Sequence, residues 1–283
     1  MSLRVQQALS TAARRLAAGG VAEAPRDARA LVAGAMGIAP DRVMLERDAE
    51  MSAAAAARLE EYITDRLRFR PVAQILGRRM FWGRWFKVTS DVLDPRPETE
   101  VLVAAALEGP APRRILDLGT GSGAILLTLL AEWPQATGVG TDYSTAALAV
   151  AGENARALGL AQRVEFVAAD WWRGVDLARF GRFDLVVSNP PYISHSELVG
   201  LAPDVREWEP EAALSPGPTG LESYREIAAG LAPALTAQGR VYLEIGPAQG
   251  PAVAEIFRAA GFDRVAVLPD LDGRNRVVTI HPV

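Results

Sequence analysis

The chain has 283 residues, 49% hydrophobic and 23% charged, with a net charge of −4. That balance argues against disorder. The lack of any apolar run of 18 residues argues against a membrane span, and the acidic net charge lacks the footprint of a general nucleic-acid binder. Cysteine is absent and the only histidines are His195 and His281. Disulfides and cysteine metal sites are therefore excluded, and a histidine metal site or a Ser-His-Asp triad is disfavoured.

The start, Met1-Ser2-Leu3-Arg4, leads into an amphipathic pattern without an apolar core and cleavage site, so no signal peptide is expected. A reducing cytosol is the natural setting for a cysteine-free chain. Val5, Leu9, Ala12, Ala13 and Leu16 recur at helical spacing, with Gly19-Gly20 as a stop. A second helix is predicted from near Pro25, a short third after Pro40-Asp41, and a fourth over 52–68 with Ser52 as N-cap. Residues 1–70 carry eleven arginines against nine acids, with both signs interspersed. Next come Phe81, Trp82, Trp85, Phe86 and Val88 around Gly83, which read as a β-hairpin; most of these aromatics are expected to be plain linker core.

From about residue 96 strands and helices alternate. The predicted strands are 114–118, 137–142, 164–168, 183–188, 239–245, 264–268 and 276–281, with helices at about 98–107, 122–132, 144–158, 219–235 and 250–260. Such alternation implies a mostly parallel α/β sheet of Rossmann-like form, here closed by an antiparallel hairpin around 270–275. The expected organisation is a helical bundle over 1–72, a hairpin linker over 73–95 and the α/β domain over 96–283.

The first α/β strand ends in Asp117-Leu-Gly119-Thr120-Gly121-Ser122-Gly123 and opens an apolar helix, the place where open parallel sheets bind ligands. Gly119, Gly121 and Ala124 also satisfy the relaxed dinucleotide pattern, so a nicotinamide cofactor stands as an alternative on the glycines alone. Asp117 tilts the choice: its carboxylate repels a pyrophosphate but attracts a cofactor carrying a sulfonium and an ammonium. Asp142, ending the second strand, is placed to accept from both ribose hydroxyls. Asp170 after the third strand is a candidate acceptor for an adenine amino group and Trp171 a cover for its face, with a capping Asp and a packing Trp as the plainer reading.

Asn189-Pro190-Pro191-Tyr192 follows the fourth strand. Two prolines remove two donors and stiffen the backbone. A planar NH₂ is a poor nucleophile because its lone pair is delocalised. The Asn189 side-chain oxygen and the Pro190 carbonyl are two acceptors able to hold both N–H bonds and turn that lone pair toward an incoming carbon, with Tyr192 stacked on the planar group. The plainer reading is a proline-rich turn with Tyr192 in the core.

Together with Gln74-Ile-Leu-Gly77, Phe81-Trp82-Gly83, Arg96-Pro97-Glu98-Thr99-Glu100, Glu209-Pro210, 220–225 and 270–278, these motifs resemble the release factor glutamine methyltransferases, the HemK family, over the whole chain. The resemblance implies a class I methyltransferase fold with S-adenosylmethionine as methyl donor and no metal. It implies cofactor contacts at Gly119 to Gly123, Asp142, Trp171 and Asn189, and a glutamine-holding loop at Asn189, Pro190, Pro191 and Tyr192. It further implies N-terminal helices that grip a peptide chain release factor whose Gly-Gly-Gln glutamine is methylated at N5. Arg96 to Glu100 resembles the family's segment at the mouth of the site, although capping by Thr99 or an Arg96–Glu100 ion pair explains it equally. The rival substrates are a glutamine of a large-subunit ribosomal protein and, further off, adenine in nucleic acid; a catalytically inactive nucleotide-binding scaffold is the rival of another class. A cytoplasmic monomer without direct nucleic-acid or membrane contact is expected.

Overall fold

The structure, a computed structural model, describes residues 3–281, so Met1-Ser2 of the expected leaderless start lies outside the described residues. The chain forms two units, one of Met1–Arg78 with Ala202–Trp208 and the other of Arg79–Leu201 with Glu209–Val283. No described helix is long and apolar enough to cross a membrane.

In the first unit, helices Val5–Ala18, Ala24–Met36 and Ala53–Leu67 bury one apolar stripe each, and the short helix Val72–Leu76 buries Ala73 and Gln74. Leu16, Leu31, Leu59 and Ile63 meet in the core, each almost fully buried. The predicted third helix is one 3₁₀ turn, Pro40–Arg42. Ser52 caps its helix as predicted, accepting from the Ala55 amide at 3.1 Å. Segment 202–208 is held in this unit by specific polar contacts. Buried Arg66 pairs with Asp27 at 2.7 Å and Asp204 at 3.2 Å, Gln74 donates to the Trp208 carbonyl at 2.9 Å, and the Trp208 indole donates to the Arg68 carbonyl at 3.0 Å.

The second unit begins within β1 (Arg78–Phe81), which pairs with β2 (Arg84–Lys87) as a two-stranded sheet. Trp82 and Gly83 both have positive φ (48° and 72°), as a two-residue hairpin turn matched to strand twist requires. Phe81 and Phe86 meet edge to face at 6.1 Å and are fully buried, whereas Trp85 is exposed, so the linker-core expectation holds for the phenylalanines and not for Trp85.

The large sheet is built of β3 (Arg114–Leu118), β4 (Thr137–Asp142), β5 (Val164–Ala168), β6 (Phe183–Ser188), β7 (Leu235–Glu244), β8 (Arg264–Pro269) and β9 (Asn275–His281) in the order β5-β4-β3-β6-β7-β9-β8. The first five run parallel and β9 pairs antiparallel with β7 and β8, the edge hairpin that was expected. Two cores result. One lies around Leu126, Leu129 and Leu102, the other around Tyr224, Leu231 and Phe257. Strand order reverses between β4 and β6, on either side of β3, which puts the switch point at the ends of β3 and β6.

Candidate active site

A cavity of about 410 Å³ opens at the carboxyl ends of β3, β4 and β6, inside the second unit. Gly119, Thr120, Gly121, Ser122, Asp142, Asp170, Trp171, Asn189 and Pro191 line it. Asp117, Gly123 and Pro190 are buried behind that lining, and Tyr192 is half-buried beside it. The predicted site residues thus converge on one place.

The glycine loop folds by backbone geometry. Gly119, Gly121 and Gly123 all have positive φ (70°, 54° and 80°), a region costly for side-chain-bearing residues. Asp142 accepts from the Gly121 amide and the Ser144 amide, both at 2.9 Å, which ties the second strand end to the loop while leaving lone pairs toward the cavity. Buried Asn154, a residue sequence reasoning passed over, donates to the Ser122 carbonyl at 2.8 Å and accepts from the Lys87 amide at 2.7 Å. A mid-helix asparagine gives no local hint of so distant a role.

Two buried carboxyls set the electrostatics of the loop. Asp117 is fully buried; its Oδ2 accepts from the Thr120 hydroxyl at 2.7 Å, while Oδ1 is buried with no partner. Burial pushes this carboxyl up to about 7, with the Asp142 charge adding to the rise and the Thr120 bond opposing it. Burial likewise raises Asp142, against the amide bonds that favour its ionised form. A buried acid with an orphaned oxygen beside a glycine loop fits S-adenosylmethionine, whose ammonium and sulfonium are the charges such a group lacks. Asp142 would then hold the ribose and Trp171, whose φ is +53°, the adenine. Asp170 is exposed and ion-paired with Arg173 at 2.8 Å, so an acceptor role toward adenine competes with that pair. Trp172 turns away, its indole donating to the Glu226 and Ile227 carbonyls at 3.0 Å.

The Asn-Pro-Pro-Tyr loop is organised by which of its carbonyls are taken. The Pro191 carbonyl accepts from the Ser223 hydroxyl at 3.0 Å, and the Tyr192 carbonyl from Gln249 Nε2 at 2.9 Å. Gln249 Nε2 also donates to the Gly220 carbonyl at 3.1 Å, and its Oε1 accepts from the Gly246 amide at 3.0 Å. Among the described hydrogen bonds none uses the Pro190 carbonyl or Asn189 Oδ1, the two acceptors predicted for a planar NH₂. Burial, helped by Glu244, pushes the Tyr192 phenol up to about 12, so it stays a neutral ring at working pH.

The segment at the mouth departs from both plain explanations. Arg96 reaches Glu209 at 2.7 Å rather than Glu100, and Glu100 instead accepts from the Trp82 amide at 2.7 Å. Thr99 makes no side-chain cap; its hydroxyl accepts from Asn189 Nδ2 at 3.3 Å.

A doubly wound sheet with this loop at its switch point and an Asn-Pro-Pro-Tyr turn on the adjacent strand defines a class I, S-adenosylmethionine-dependent methyltransferase. A methyltransferase from Pyrococcus furiosus, 15% identical, shares the fold with a TM-score of 0.53 over 72% of this chain and 91% of its own. Residues 7–77 match the PrmC N-terminal domain family and residues 91–202 the methyltransferase small domain family. The release factor glutamine methyltransferase of Cereibacter sphaeroides is 54% identical over 98% of both chains. That of Moorella thermoacetica is 43% identical over 97% of both. The chain belongs to the release factor glutamine methyltransferase family.

Proposed function

We propose that the protein transfers the methyl group of S-adenosylmethionine to the side-chain amide nitrogen of the glutamine in the Gly-Gly-Gln tip of peptide chain release factors. The observation that carries this reading is the pair of uncommitted acceptors, Asn189 Oδ1 and the Pro190 carbonyl, in a loop whose next two carbonyls are already occupied. When bound, the cofactor supplies an electrophilic methyl carbon on a sulfonium sulfur. The protein's part is to accept both N–H bonds of the substrate amide, keep its plane against the Tyr192 ring and aim its lone pair at that carbon. The loops around the cavity shield the amide from water, which strengthens both bonds.

The helices of residues 1–72 serve as the docking surface for the release factor, whose extended tip enters the cavity. The enzyme acts as a monomer in the cytoplasm, without direct contact to nucleic acid. The net charge of −4 and the mixed signs in the N-terminal region support that last point.

The test is methyl transfer from labelled S-adenosylmethionine to purified unmodified release factor, followed by mass spectrometry of the tip peptide. One methyl on the Gly-Gly-Gln glutamine is the expected result. Transfer to a large-subunit ribosomal protein or to DNA, with none to the release factor, overturns the substrate while keeping the chemistry.

A further inference from the structure

The stretch 220–225 carries no group assigned to cofactor or substrate, yet three of its residues touch the Asn-Pro-Pro-Tyr loop or the side chain that holds it. The Ser223 hydroxyl donates to the Pro191 carbonyl at 3.0 Å. Gly220, at φ +73°, passes so close that a Cβ there would collide with the Tyr192 carbonyl, and its own carbonyl accepts from Gln249 Nε2 at 3.1 Å. Tyr224, fully buried, donates to the Glu244 carbonyl at 3.0 Å and reaches Gln249 Oε1 at 3.4 Å.

Gln249 joins these pieces. Its NH₂ end donates to the Tyr192 carbonyl at 2.9 Å as well as to Gly220, and its oxygen accepts from the Gly246 amide at 3.0 Å. Turned over, the amide would set oxygen against two carbonyls and N–H against N–H, so one orientation alone satisfies it. At Gly246 a Cβ would stand 3.0 Å from Gln249 Oε1 and 3.4 Å from the Tyr192 ring, another close approach that a side chain would crowd.

The two peptide planes that follow the Pro190 carbonyl are thereby tied at both edges. The first has its Pro191 carbonyl on Ser223 and its Tyr192 amide on the Leu214 carbonyl at 3.2 Å. The second has its Tyr192 carbonyl on Gln249 and its Ile193 amide on the same Leu214 carbonyl at 2.9 Å. Peptide units are planar, and the ring of Pro191 locks its φ at about −65°. A single soft torsion, ψ of Pro191, therefore separates the first tied plane from the Pro190 carbonyl.

We propose that Ser223 and Gln249 are positioning residues for methyl transfer, which aim the Pro190 carbonyl at the substrate N–H by holding the two peptide planes after it. The inference rests on the reading that this carbonyl and Asn189 Oδ1 hold the substrate amide. The locked proline turns an anchor on one carbonyl into a direction for the one before it.

The experiment measures kcat, KM for release factor and cofactor Kd in Ser223→Ala and Gln249→Met, and repeats Gln249→Met in an Asn189→Ala background. Methionine matches the length of glutamine and cannot donate. Gln249→Met is expected to lower kcat about tenfold, equivalent to ~1.4 kcal/mol, and Ser223→Ala about fivefold, with KM and Kd within about twofold. Two acceptors that act as a unit are not additive, so in the Asn189→Ala background Gln249→Met should cost less than about twofold. A fold weakened in general would lower the rate equally in both backgrounds, and that result overturns the proposal. A wild-type kcat in either single variant overturns it too, as does a loss carried by KM or Kd. If Gln249→Met does not fold, Ser223→Ala, which removes one oxygen atom, takes its place in the cycle with the same criterion. Wild-type protein that methylates no release factor overturns the functional reading and this inference with it, whereas an active wild type beside unaffected variants overturns this inference alone.

Discussion

The two halves of the cavity are built by opposite means. On the glycine-loop side the protein leaves charge unsatisfied: Asp117 sits fully buried with one oxygen unpartnered, on a loop whose glycines occupy left-handed backbone. On the Asn-Pro-Pro-Tyr side the protein ties down the Pro191 and Tyr192 carbonyls, and no described hydrogen bond uses the Pro190 carbonyl or Asn189 Oδ1. On the proposed function, the first half favours a cation and the second aims a neutral group. Affinity and orientation would then be assigned to different strands of the sheet, and they should fail separately.

The sharpest break comes from Asn189→Ala. It should lower kcat by about 10²–10³-fold, the loss typical of one removed transition-state hydrogen-bonding group, while isothermal calorimetry finds cofactor affinity changed only severalfold. Asp117→Asn should do the reverse, weakening cofactor binding by roughly a hundredfold, ~2.7 kcal/mol. In the cofactor-free protein at pH 8 the same change should raise Tm, since one kcal/mol is worth roughly 2–4 °C at this size.

The sign follows from linkage. The folded value, about 7, lies above the ordinary carboxylate value of 3.8, so between those limits the folded state binds the extra proton and stability falls as pH rises. The cofactor-free protein should accordingly melt higher at pH 6 than at pH 8, and Asp117→Asn should flatten that slope. A steeper slope in the variant contradicts the account. Asp142→Ala should cost about tenfold in cofactor affinity, ~1.4 kcal/mol, because it removes the ribose acceptor and loosens the Gly121 amide. Unchanged binding there means the carboxylate serves only the loop.

Much of this was legible in the sequence because parallel strands buried on both faces read as apolar runs, and their ends carry the chemistry. Strands 114–118, 137–142, 164–168 and 183–188 begin and end where the pattern places them. β7 begins earlier than predicted, at Leu235, because a register shift lets Phe183 pair with Leu235 across an irregular stretch of polar residues and Gly239. One-turn helices such as Leu177–Phe180, His195–Leu198 and Glu211–Leu214 are too short to show a period. Glycines and prolines announce their backbone roles locally, so the two loops were found. Asn154 and Gln249 act across many residues of chain, and no local spacing distinguishes a buried polar group with a distant partner from an ordinary surface one. Thr99 illustrates the difference: locally it looks like a helix cap, and only the third dimension gives it Asn189.

Gln249 has a consequence for selectivity. Its side-chain amide donates to the Tyr192 and Gly220 carbonyls, so the protein already grips one glutamine of its own by two main-chain oxygens, a bond's length from the loop that would grip the substrate. Yet that resident glutamine is not among the residues facing the cavity. Being clasped is therefore a poor criterion for being modified. On the proposed function, what singles out a target is delivery into the cavity, which would make the reach and slenderness of the incoming peptide tip the quantity on which choice of substrate turns.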